Sequence, residues 1–170
     1  MSSRTFTSLS VVVVLAVVFT AVLHAQQQQR DHAHEAHEKA IITPDKIEWS
    51  AGPPSLPRGA QVVVLEGDPT QSGMFTMRAK LPGNYRIPPH THPRVERVTV
   101  LKGVLRLGTG REFDEAKLQD LPTGAFFTMP PGMEHFAATG NEETVIQLTG
   151  MGPWEINYLN PSDDPRRQQQ

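Results

Sequence analysis

Glycine and proline interrupt this chain so often that no helix of ordinary length fits after its first 25 residues. The 170-residue sequence holds 13 Gly and 15 Pro, and the runs between them are short, apolar and rich in β-branched residues. Proline lacks the amide proton that a helix interior needs, and glycine costs backbone entropy there, so runs bounded this way read as strands joined by turns. Residues 61–66, 73–81, 95–101, 104–107, 125–129, 135–139, 144–149 and 154–159 qualify, with 47–49 as an edge strand. In residues 73–81, Met74, Thr76, Arg78 and Lys80 alternate with Phe75, Met77, Ala79 and Leu81, the pattern of a strand with one apolar face. Lys102-Gly103 reads as a tight hairpin turn with residues 104–107 as the antiparallel return, and 108–122 as the longest irregular stretch, with one helical turn at 114–118. Nine or ten short strands place the chain in the all-β class, as an antiparallel barrel or sandwich.

The first 25 residues stand apart. Arg4 precedes an apolar run from Leu9 to Leu23, and Leu23-His24-Ala25 ends on a small residue before four glutamines, which is the arrangement of a secretory signal peptide. The competing reading, a retained membrane anchor, needs roughly 20 apolar residues and the run is shorter. The expected location is therefore periplasmic or secreted. There is no cysteine, so neither a lipid anchor on cysteine nor a disulfide framework is available. A formal net charge of −2 without a basic cluster offers no footprint for nucleic acid or, once the leader is removed, for an anionic membrane. A small molecule is the expected partner. Residues 26–45 read as a flexible Gln- and His-rich lead-in whose His32, His34 and His37 lack a scaffold to fix them as a metal site. The domain itself is expected over 46–160, with 161–170 as a flexible tail.

The chemistry concentrates in residues 83–103. His90, His92 and Glu96 all occupy even positions, and on an extended backbone side chains alternate with a period of two, so the three can share a face. Two imidazoles and a carboxylate suit Fe, Mn, Ni, Zn, Cu or Co. A fourth ligand has to come from elsewhere, and His135 is the candidate, since it follows the turn Met129-Pro130-Pro131-Gly132 and starts an apolar run.

These residues carry a family resemblance. Gly83, His90, His92, Glu96 and Gly103 resemble the first motif of the cupin superfamily, and Gly124, Pro130, Gly132 and His135 resemble the second. The chain has six residues between Gly83 and His90 where the family usually has five, and Thr139 where the second motif often has Asn. The resemblance implies a double-stranded β-helix, or jelly-roll cupin barrel, with His90, His92, Glu96 and His135 around one divalent transition metal ion. Such a set leaves two adjacent positions for water, O2 or a bidentate substrate. Residues 108–114 and 152–165 also look like those of exported bacterial single-domain cupins, a group without a settled reaction. Pairing through the edge near Ile47 would make a homodimer.

Other residues have two readings each. Thr99 and Gln147 suit hydrogen bonds to the outer nitrogens of metal-bound histidines. Tyr85, Arg86 and Arg106 suit an anionic substrate at a cavity mouth, against exposed strand-face charges. Glu134 is a general base only if it shares a face with His135, which an extended backbone forbids. Met74, Met77, Met129, Met133, Phe126, Phe127, Phe136 and Trp154 are read as core before pocket lining. The expected function is metal-dependent oxygenation of a diol or enediol-like compound, or isomerase or lyase chemistry. The alternative is a non-catalytic module that senses or buffers a metal or small ligand.

Overall fold

The structure, a computed structural model, describes residues 41–167. The expected signal peptide, residues 26–40 of the lead-in with its three histidines, and the last three glutamines lie outside the described residues.

Among the described residues, eleven strands form two sheets in which every pairing is antiparallel. β1 is Ser50–Ala51, β2 Gln61–Glu66, β3 Gly73–Leu81, β4 Arg86–Thr91, β5 Glu96–Lys102 and β6 Val104–Thr109. β7 is Gln119–Pro122, β8 Phe126–Met129, β9 His135–Thr139, β10 Thr144–Gly152 and β11 Asn157–Tyr158. The larger sheet runs β1-β2-β3-β10-β5-β8, and the smaller runs β11-β4-β9-β6-β7. Strands β2, β3 and β9 coincide with the sequence-based expectation because each is a clean apolar run closed by turn residues.

Other expectations needed tertiary context. The edge strand lies at Ser50–Ala51, just past the expected 47–49. β4 runs through Pro88-Pro89, and β7 lies in the stretch read as irregular. The helical turn at 114–118 is a 3-10 turn over Glu115–Lys117, with the Asp114 carboxylate accepting the Ala116 amide at 2.9 Å. Residues 161–167, expected to fray, instead make two 3-10 turns, with Pro165 buried and the Arg166 guanidinium donating to the Ile156 carbonyl at 3.0 Å.

The hairpin at Lys102-Gly103 does not exist. β5 belongs to the larger sheet, between β10 and β8, whereas β6 belongs to the smaller, between β9 and β7. Gly103, at φ 76°, turns the chain from one layer to the other, and a Cβ there would stand 2.6 Å from the Glu143 carbonyl oxygen. The fully buried Thr144 locks the corner by donating its hydroxyl to the Val104 carbonyl at 3.0 Å. The signal that reads as a hairpin is thus a sheet-to-sheet crossing, as a double-stranded β-helix requires.

The core lies between the layers. Phe75, Ala79 and Leu81 of β3, Val98 and Val100 of β5, and Ile146 and Leu148 of β10 face Leu105 and Ala137 of the smaller sheet. Full burial of such side chains is worth about 1.5–3 kcal/mol each, which is what holds a domain without disulfides.

Replacing Gly103 with Ala adds a left-handed strain of ~1–2 kcal/mol to a clash with backbone, for a total loss of ~3 kcal/mol. Gly110, at φ 125° with nothing within 4 Å of where a methyl group would stand, would lose only the conformational part. Urea unfolding of G103A and G110A should show that difference.

Candidate metal centre

The segment carrying His90, His92 and Glu96 is not one extended strand. His90 lies in β4 of the smaller sheet, Glu96 opens β5 of the larger, and residues 92–95 bend between them. The three side chains converge because they flank a corner, so the meeting that a period of two suggested comes about through a different geometry.

A bulge sets the face of His90. Along β4 and β9, Ile87 pairs with Ala137 and His90 with His135, so three steps on one strand match two on the other. The surplus residue is taken up at Pro88-Pro89. Such a bulge re-aims the side chains beyond it, and here Ile87 and His90, of opposite parity, line the same cavity. The extra residue between Gly83 and His90 is accommodated in this way. Thr139, the other departure from the motif, ties down the start of β4, accepting the Tyr85 amide at 2.9 Å and donating to the Pro82 carbonyl at 2.7 Å.

The structure brings His90, His92, Glu96 and His135 together, all of them between 2% and 7% exposed. One nitrogen from each imidazole lies within 4.8 Å of the others. Glu96 faces His92 Nε2 at 3.6 Å and His135 Nε2 at 3.4 Å. Each Nδ1 meets a backbone carbonyl: His90 that of Pro88 at 2.7 Å, His92 that of Glu155 at 2.7 Å, and His135 that of Met133 at 2.9 Å. With Nδ1–H donating outward, all three Nε2 atoms are left as acceptors aimed inward, and buried His92 Nε2 has no hydrogen-bond partner. An unpartnered buried acceptor costs about 1–3 kcal/mol, and a cation at the shared point would remove that cost. The donor set therefore fits a divalent transition ion.

The electrostatics divide the imidazoles. Burial, reinforced by the neighbouring His135 and His92, holds His90 well below its ordinary proton affinity, and burial also lowers His92. Burial works the same way on His135, but the hydrogen bond and charge of Glu96 outweigh it and raise the net value.

The carbonyls replace Thr99 and Gln147, which pair with each other across β5 and β10; Gln147 accepts from Arg78 Nε at 3.0 Å. Tyr85 is buried in the core, its hydroxyl donating to the Pro57 carbonyl. Arg86 pairs with Glu115 and stacks on Phe113, and Arg106 pairs with Asp120 at 3.2 Å, so neither lines the cavity. Glu134 pairs with Arg111 and is likewise outside it. Among the residues read as core, Met74, Phe126 and Met133 are exposed, while Phe136 and Met129 are buried. Trp154 has a part the sequence did not suggest. Its indole stacks on His92 with centroids 4.2 Å apart and planes 20° apart, while the next residue supplies the carbonyl for His92 Nδ1.

Residues 37–155, more than half of the chain, match the family described as the ChrR cupin-like domain. The chain is a member of that family. This cupin also matches germin-like protein 9-3 of Oryza sativa subsp. japonica, at 35% identity over 66 residues, covering 38% of this chain and 31% of the relative. Germin-like protein subfamily 2 member 1 of Arabidopsis thaliana is 36% identical over 83 residues, covering 48% of this chain and 37% of that one. The matches thus span about a third of the length of these curated relatives. The fold is shared with the polyketide cyclase RemF of Streptomyces resistomycificus, with a TM-score of 0.60 at 16% identity over 78% of this chain and 94% of the other. An RmlC-like cupin from Shewanella frigidimarina NCIMB 400 gives a TM-score of 0.50 at 11% identity, covering 75% and 97%.

Titrated by NMR without added metal, His135 should protonate at a higher pH than an ordinary histidine at 6.5, with His90 and His92 below it. A raised folded value means that the His135 contribution to stability is fully present below about 6.5 and fades as the pH rises through that folded value. In Glu96→Gln the His135 titration should move to lower pH than in the wild type, because the Met133 carbonyl alone is then left to oppose burial.

Proposed function

We propose that this protein is an exported cupin that binds one divalent transition metal through His90, His92, Glu96 and His135 and acts on a small organic molecule. The observation carrying the reading is that all three Nδ1 atoms are committed to carbonyls while three Nε2 atoms converge beside one carboxylate. A bound ion would supply Lewis acidity and, if redox-active, oxidising chemistry with dioxygen. The chain's own part is to hold His90 and His92 neutral by burial and to orient all three imidazoles through the carbonyls of Pro88, Glu155 and Met133.

Between the two reaction classes, oxygenation is the better supported. Isomerase or lyase chemistry needs a positioned group to carry a proton. Among the described residues lining the cavity, the ionisable ones are His90, His92 and Glu96, all in the ligand set. Nothing in that lining is left over as an independent acid or base, whereas oxygenation asks the protein mainly to bind and orient.

His92→Ala or His135→Ala should lower metal content several-fold by elemental analysis of the purified protein, while His34→Ala leaves it near the wild-type value. Equal losses at His34 and His92 would overturn the assignment. Oxygen uptake with catechols and hydroxy acids, with and without iron, tests the activity, and inactivity of fully metallated protein would favour a binding module.

Metal retention should weaken as the pH falls below about 6, because the ligand histidines must be neutral and His135 takes up a proton most readily. Metal content that stays constant down to pH 4 in equilibrium dialysis would exclude histidine ligation.

A further inference from the structure

The cavity lined by His90, His92 and Glu96 has a volume of about 340 Å³. Its wall is predominantly apolar. Met77, Leu81, Ile146, Leu148 and Ile156 are typical of the lining, and no lysine, arginine, asparagine or glutamine appears among the described lining residues. The two hydroxyl-bearing side chains in the wall are Ser55 and Thr70, and the Thr70 hydroxyl is already engaged with the Asp68 carboxylate at 2.7 Å.

One side of the cavity is a loop, residues 52–57, that contributes Pro53, Ser55 and Leu56. Two phenols hold it. Tyr85 donates to the Pro57 carbonyl and Tyr158 to the Ser55 carbonyl, the latter at 2.7 Å. Burial pushes both phenols above their ordinary range, so both stay protonated as donors. The wall is therefore built in place, and its chemistry is that of the ligand it accepts.

From this we infer that the pocket selects an uncharged, largely apolar ring compound of about two fused rings, bearing paired oxygen donors at the end that reaches the ligand cluster. The inference rests on the metal reading above only for that polar end. A small hydrophilic dianion has no counter-charge in the wall and would leave the wall's apolar surface wet, whereas a ring system buries it at about 25 cal/mol per Å². Specificity built this way is graded by size, since each added apolar group multiplies affinity instead of making an all-or-none contact.

A matched series of bidentate oxygen ligands tests it: oxalate, catechol and 2,3-dihydroxynaphthalene, titrated against the full-length metal-loaded protein. The chain has two tryptophans, and Trp49 lies beneath the Lys80 ammonium, so a Trp49→Phe background leaves Trp154, in the cavity wall, as the fluorescent reporter. The expected order is dihydroxynaphthalene about tenfold tighter than catechol, and oxalate weaker than dihydroxynaphthalene by about 100-fold. Val64 lines the mouth and is 43% exposed, so Val64→Arg is tolerated by the fold and should narrow the gap between oxalate and dihydroxynaphthalene at least tenfold. Oxalate binding as tightly as dihydroxynaphthalene, or catechol and dihydroxynaphthalene binding alike, overturns the inference. Repeating the series after chelation separates the two proposals. If the metal reading alone fails, the preference for the second ring persists and added metal changes no affinity. If the apolar reading alone fails, added metal tightens all three ligands with no gain from the second ring.

Discussion

Burying three imidazoles and a carboxylate at one point is unfavourable unless nearly every polar atom finds a partner, and the way this fold supplies those partners governs the rest. Backbone carbonyls take the three Nδ1–H groups, and Glu96 sits beside His92 and His135. The carbonyls come from three different places: within β4, just before β9, and the loop before β11. Each imidazole is thus oriented by chain geometry fixed elsewhere in the barrel, and the inward nitrogens have nowhere to point except toward one another.

That arrangement needs both sheets. His90 and His135 are direct cross-strand neighbours in the smaller sheet, while Glu96 starts a central strand of the larger. The bend over residues 92–95 and the Pro88-Pro89 bulge bring the two sources together. Proline is unwelcome in a central strand because it cannot donate to the ladder, and it is found at bulges for the same reason. Here the interruption is what turns His90 inward and frees the Pro88 carbonyl to orient its ring.

Beside the polar point lies an apolar room, and the two share a wall. Trp154 stacks on His92 and packs edge-on against Phe75 of the core, with centroids 5.8 Å apart. The indole couples core packing to the orientation of the His92 imidazole. A ligand in the cavity would meet mainly aliphatic side chains and this aromatic face.

The sequence by itself determined the all-β class, several strand limits and the four residues that meet, because those depend on local signals: period-two alternation, turn residues and the types of side chain that bind metal. It did not determine how they meet. A positive-φ glycine between two strands serves a hairpin or a crossing equally well, and Gly103 became a crossing only because β10 and β8 already flank β5. Thr99, Gln147, Tyr85, Arg86 and Arg106 were plausible partners for the site by type, yet pairing register and burial sent them to the sheet interior, the core or surface ion pairs. The hydrogen bonds that orient the imidazoles end on carbonyl oxygens, which every residue possesses, so no sequence pattern marks them. Tertiary structure decided those contacts and the apolar character of the cavity, since both depend on which distant strands face each other.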